Sequence, residues 1–120
     1  MILPKTKLTV GDNSGPSLVE SIRILSGAKY GNIGDKIVLT VKKNPKNQKI
    51  KKGQVLKGII IRTKFGIRRP NGTRISFPDN SVILLNTQGN LIGNRISGPV
   101  PRELRKWNQL KILSLATKIY

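Results

Sequence analysis

The stretch GDNSGP (Gly11–Pro16) sets a serine in a tight turn, close to the protease nucleophile signature GDSGGP, so nucleophilic catalysis is the first chemistry to weigh. A serine hydroxyl attacks only when a neighbouring base takes its proton, and the usual base is histidine. The chain contains no histidine. Its five acids, Asp12, Glu20, Asp35, Asp79 and Glu103, are scattered singly, with no pair at a spacing suited to acid–base or metal chemistry. Cysteine is absent too, which removes thiolate zinc sites and disulfides. Neither phosphate-cradling glycine motif, G-x-x-x-x-G-K-[ST] or G-x-G-x-x-G, occurs. These residues point away from an enzyme, a cofactor, a metal or a small-molecule substrate, and Gly11–Pro16 reads as a turn between strands.

What the chain has in abundance is positive charge. Lys and Arg number 23 against 5 Asp and Glu, a formal net charge of +18. A chain so unbalanced repels itself, and an anionic partner relieves that repulsion. Nucleic acid fits best, because neutralising phosphates releases condensed counterions. Acidic membranes, polysaccharides and acidic proteins are the alternatives. No apolar run approaches the ~20 residues of a membrane span, and the missing signal and scattered strand pattern disfavour a membrane-active protein, so no membrane partner is expected. The start MILPKTKLTV has neither a signal-peptide apolar core nor the Arg/Ser-rich lead of a transit peptide, so the chain is expected to fold where it is made.

Two segments concentrate the cations. In RTKFGIRRPNGTRISF (Arg62–Phe77) five cationic side chains accompany no acid. The centre RPNG suits a type I turn with Pro70 and Asn71 at its corners, and Gly72 in the left-handed conformation of a three-residue hairpin loop. That loop sets a register in which Arg69 faces Thr73, Arg68 faces Arg74, Ile67 faces Ile75 and Phe65 faces Phe77. Alternation then puts Phe65, Ile67, Ile75 and Phe77 on an inward face, and Arg62, Lys64, Arg68 and Arg74 on an outward one. Directly opposed arginines are destabilising, so an external anion is expected against them. The hairpin is therefore assigned to phosphate contact through Arg62, Lys64, Arg68, Arg69 and Arg74, rather than to a solvated surface. The second segment, KKNPKNQKIKKG (Lys42–Gly53), carries Lys42, Lys43, Lys46, Lys49, Lys51 and Lys52. Lysines are point charges without a planar fork, which suits backbone contact rather than base reading.

Short β-branched runs punctuated by Gly, Asn and Pro must position these arms. Strands are expected at TKLTV, VESIRIL, KIVLTVK, VLKGIIIRT and SVILLN, forming a small barrel or sandwich. Ile37, Leu39 and Val41 should share one buried face, whereas GIIIR is apolar on both faces and belongs in a central strand. In the tail, Leu104, Trp107, Leu110 and Leu113 recur at helical spacing, giving two short helices, the first opened near Pro101. The whole reads as a single domain over 1–120, with a β-barrel and its basic arms over 1–97 and a C-terminal helical segment over 98–120.

Five segments in order, LTVGDNSG, GDKIVLTVK, KKGQVLKGIIIRTKFGIRRPNGTRISFPDNSVILLN, LIGNRISGPVPRELR and KILSLA, resemble the universal large-subunit ribosomal protein fourteen family across nearly the whole chain. The resemblance implies a mainly β fold: a small five-stranded closed barrel with a projecting basic ribbon and short C-terminal helices. It implies a structural role in translation: binding large-subunit ribosomal RNA, packing beside neighbouring large-subunit proteins, and lying at the subunit interface. There the family helps form bridges to small-subunit ribosomal RNA. The hairpin and lysine arm match family segments that approach RNA. The region 98–115, with Arg102, Arg105, Lys106 and Trp107, matches the part that faces protein neighbours and the bridge. The chain departs from the family pattern at Pro16, at Pro101 and in its SLATKIY ending. With its heavy use of Ile, Lys and Asn, this favours a mitochondrial ribosome over a bacterial cytoplasmic or plastid one.

Overall fold

The computed structural model describes residues 2–13, 15–25, 27, 29–43, 52–93, 95–107 and 110–119, with the backbone alone at 105–107, 110, 111 and 117. Five strands close into a barrel: β1 (Lys7–Val10), β2 (Leu18–Ile24), β3 (Lys36–Lys43), β4 (Val55–Arg62) and, after a hairpin, β7 (Ser81–Leu85). All five expected strands are present, with boundaries within a residue or two. The antiparallel order β1-β2-β3-β4-β7 is closed by a short parallel pairing of β1 with β7, Thr9 to Ser81 and Val10 to Val82. Closure pairs both edges of the sheet, so no strand edge of the barrel is left open to another chain.

Period-two alternation explains which side chains fill it. Ile37, Leu39 and Val41 on β3 are all buried, while Lys36, Lys42 and Lys43 stay in water. On β4 the alternation gives way: Ile59, Ile60 and Ile61 are buried in succession, and all five residues of β7 are buried as well. Both faces of these two strands are covered, and their buried residues join one apolar cluster with Ile96, Val100, Leu104 and Ile112 from the tail. Gly58 is required where β4 meets β7, because a Cβ there would lie 2.8 Å from the Ile83 carbonyl oxygen and 2.9 Å from a Leu39 methyl.

The hairpin between β4 and β7 forms its own two-stranded sheet, β5 (Ile67–Arg68) with β6 (Arg74–Ile75). The tail is helical only in its middle. A 3-10 helix, Arg102–Trp107, and a six-residue α1 (Leu110–Leu115) are flanked by β8 (Ile96–Val100) and β9 (Ala116–Ile119), which pair in parallel. The helical spacing from Leu104 to Leu113 describes this middle correctly. It says nothing of the flanks, where Gly98, Pro99 and Pro101 break helix and Ala116–Ile119 finds β8 as a distant partner.

Candidate nucleic-acid interface

The hairpin takes the three-residue loop its sequence demands. Arg69 N–H donates to Thr73 O (2.8 Å), Gly72 N–H donates to Arg69 O (3.0 Å), and Gly72 adopts φ 90°. The Asn71 side-chain oxygen accepts from Thr73 N–H (3.0 Å) and from its hydroxyl (2.6 Å), stiffening the loop. The register is the expected one: Ile67 opposite Ile75 and Arg68 opposite Arg74. The two isoleucines pack toward the core and the two arginines face solvent.

Beyond Gly66 the two-faced pattern fails, in a way that relocates Phe65. Thr63 Oγ1 accepts from Gly66 N–H (2.9 Å), and Asn80 Oδ1 accepts from Lys64 N–H (2.8 Å). Gly66 turns with φ 78°. This local turn lets Phe77 N–H reach Thr63 O (3.3 Å) instead of pairing opposite Phe65. Phe77 is consequently buried (7% exposed), whereas Phe65 stands 48% exposed on the side of the cations. The Arg74 guanidinium lies 4.2 Å from the centroid of the Phe65 ring and donates to the Phe65 carbonyl from Nε (2.9 Å) and Nη2 (2.6 Å). The repulsion between the opposed arginines is thus partly relieved from within, by a ring face and a carbonyl.

Arg62 departs from the outward face assigned to it. It is 6% exposed, and its fork is fully occupied. Nε and Nη2 donate to the two Asp79 carboxylate oxygens (3.0 and 3.3 Å) and Nη2 also to Ser81 Oγ (2.9 Å). Nη1 donates to the carbonyls of Ser97 (2.8 Å) and Pro99 (3.1 Å). Gly98, between those carbonyls, has φ 80°, and a Cβ there would collide with the guanidinium. Arg62 therefore fastens β4 to β7 and β8. Sequence reasoning missed this hub because its partners lie up to 37 residues away. The one local hint was an acid, Asp79, just before a strand rich in buried residues.

Arg69 is also engaged: its Nε donates to Glu103 (2.5 Å), Nη2 reaches the other carboxylate oxygen (3.3 Å), and both side chains are largely buried. This pair latches the hairpin to the 3-10 helix. Other acids are engaged within the chain as well. Besides Asp79 and Glu103, Asp12 accepts from Leu84 N–H (3.1 Å) and Asp35 from Asn32 N–H (2.8 Å).

The side chains of Lys64 and Arg68 are exposed and make no hydrogen bond or ion pair among the described residues. Lys42, Lys43, Lys52 and Arg102 are exposed as well. Lys46, Lys49 and Lys51, and the side chains of Arg105, Lys106 and Trp107, lie outside the described residues. The hairpin follows one end of β4 and Lys52–Gly53 precede the other, and the eight residues of β4 span roughly 23 Å.

Among the described residues no group of three or more His, Cys, Asp or Glu side chains is placed to hold a metal, and no helix is long and apolar enough to cross a membrane. Fold and charge together define a small cationic β-barrel protein that carries a basic hairpin. A family model described as ribosomal protein L14p/L23e matches residues 1–120, and the chain belongs to that family. It is a structural constituent of the large ribosomal subunit, in a family that is structural rather than enzymatic.

Proposed function

We propose that the chain holds large-subunit ribosomal RNA through its backbone phosphates, at two separate regions of one rigid body. The observation that carries this reading is the contrast within the hairpin. Arg62 and Arg69 are taken up by Asp79 and Glu103, whereas Lys64 and Arg68 stand in water with no described protein partner beside an exposed Arg74. A fold that satisfies some cations with its few acids and displays the rest presents them to an outside anion. The lysine arm, Lys42, Lys43, Lys46, Lys49, Lys51 and Lys52, supplies the second region. Barrel and tail act as one unit, since their buried side chains form a single cluster. The tail residues Arg102, Arg105, Lys106 and Trp107 face a neighbouring large-subunit protein and the bridge to small-subunit ribosomal RNA. The composition and the family departures favour a mitochondrial ribosome.

Sedimentation of organelle and cytosolic lysates, followed by ultraviolet crosslinking of the large-subunit fraction, tests this. The chain is expected in mitochondrial large subunits, with crosslinks from Lys64–Arg74 and Lys42–Lys52 peptides to large-subunit RNA. Large subunits that carry the chain but yield crosslinks from neither segment would contradict the RNA assignment. Recovery only from cytosolic or plastid ribosomes would contradict the compartment.

A further inference from the structure

We infer that Phe65 is a stacking platform for one unpaired nucleobase of the ribosomal RNA. The inference rests on the phosphate-binding reading of the hairpin and adds a base contact to it. Phe65, 48% exposed on a hairpin of this charge, is held there by the fold. The Thr63–Gly66 and Asn80–Lys64 hydrogen bonds fix the turn, and Gly66 takes a φ that most residues avoid. Arg74 then pins the residue from two directions, with its guanidinium over one ring face and two hydrogen bonds to the Phe65 carbonyl. One face of the ring is thereby covered by a cation, and the residue still remains 48% exposed.

That geometry matches what an unstacked base needs. Every base has a π-face, and RNA bases splayed from loops and bulges stack on aromatic side chains. A base on the open face would complete a stack of guanidinium, phenyl ring and base. Lys64, the preceding residue, and Arg68, directly across from Arg74, lie where they can hold the phosphates of that nucleotide and its neighbour. A docking protein would instead be met by a ring flanked by cations; the hairpin residues Lys64, Arg68 and Arg74 are all charged and exposed.

The test is the affinity of the full-length chain for protein-free large-subunit ribosomal RNA across a range of KCl concentrations. Wild type, Phe65→Leu, Phe65→Tyr and Arg68→Ala are compared. Phe65→Leu keeps an apolar side chain but removes the π-face, and is expected to weaken binding about 5- to 150-fold while leaving the salt slope unchanged. Phe65→Tyr should bind within about twofold of wild type, as any stacking ring does. Wild-type affinity for Phe65→Leu would overturn the inference. So would a loss accompanied by a changed slope, which would make the ring merely a support for Arg74. A Phe65→Leu chain that melts far below wild type would reduce the ring to packing. An Arg68→Ala slope identical to wild type would sink the phosphate reading instead, whatever Phe65 does.

Discussion

Arg62 donates to two carboxylate oxygens, one hydroxyl and two carbonyls, so its removal leaves Asp79, Ser81 and the Ser97–Pro99 backbone short of donors at once. Breaking a largely buried charged network by deleting one partner is strongly destabilising. Arg62→Ala is expected to lower the stability of the free protein by about 3 kcal/mol in urea unfolding. Gly98→Ala should act in the same direction, through both its φ of 80° and the collision with the guanidinium. Arg68→Ala removes a side chain with no described hydrogen bond or ion pair and should leave stability nearly unchanged. A mild Arg62→Ala would mean that the network contributes little beyond ordinary surface pairing. Types and spacing alone could not sort these arginines. They stand six positions apart in one charged stretch, and their fates are decided by acids and carbonyls that only the closed fold brings near.

At the scale of elements, glycines separate packing from backbone preference. Gly58→Ala forces a methyl between the Ile83 carbonyl and Leu39, where β4 meets β7, and overpacking of that kind costs about 1–3 kcal/mol. Gly72→Ala meets no atom within 4 Å and suffers only from its φ of 90°, for about 1 kcal/mol. Urea unfolding should therefore rank Gly58→Ala as the more damaging; the reverse order would mean that the barrel yields at that strand pair. The elements most legible in the sequence were those with local causes. Alternation in KIVLTVK, the doubly apolar GIIIR and the RPNG turn each carry their structure within a few residues, and the strands and hairpin register follow. The β8–β9 pairing was not legible, because it joins segments some twenty residues apart and neither is a strong strand former alone. Phe65 escapes the alternating pattern for a similar reason. Strict alternation cannot run through a turn whose hydrogen bonds come from Thr63 and from Asn80, beyond the hairpin.

For the whole molecule, the net charge of +18 sets the balance. With at least four of its five acids occupied in internal bonds, the free chain carries its positive charge on the outside and repels itself. Raising salt from about 20 mM to 0.5 M shortens the screening length several-fold. The melting temperature of the free protein is expected to rise by several degrees, whereas RNA binding weakens over the same range. A melting temperature that falls with salt would mean that screened internal ion pairs outweigh the repulsion. The central claim, that the displayed cations of the hairpin grip RNA phosphates, is tested most directly by the slope of log affinity against log salt concentration. Wild type and a Lys64→Ala, Arg68→Ala double variant are compared on large-subunit ribosomal RNA. A shallower slope is expected for the variant, by about 0.7 to 0.9 for each phosphate that is no longer neutralised. Parallel lines for the two proteins would contradict it.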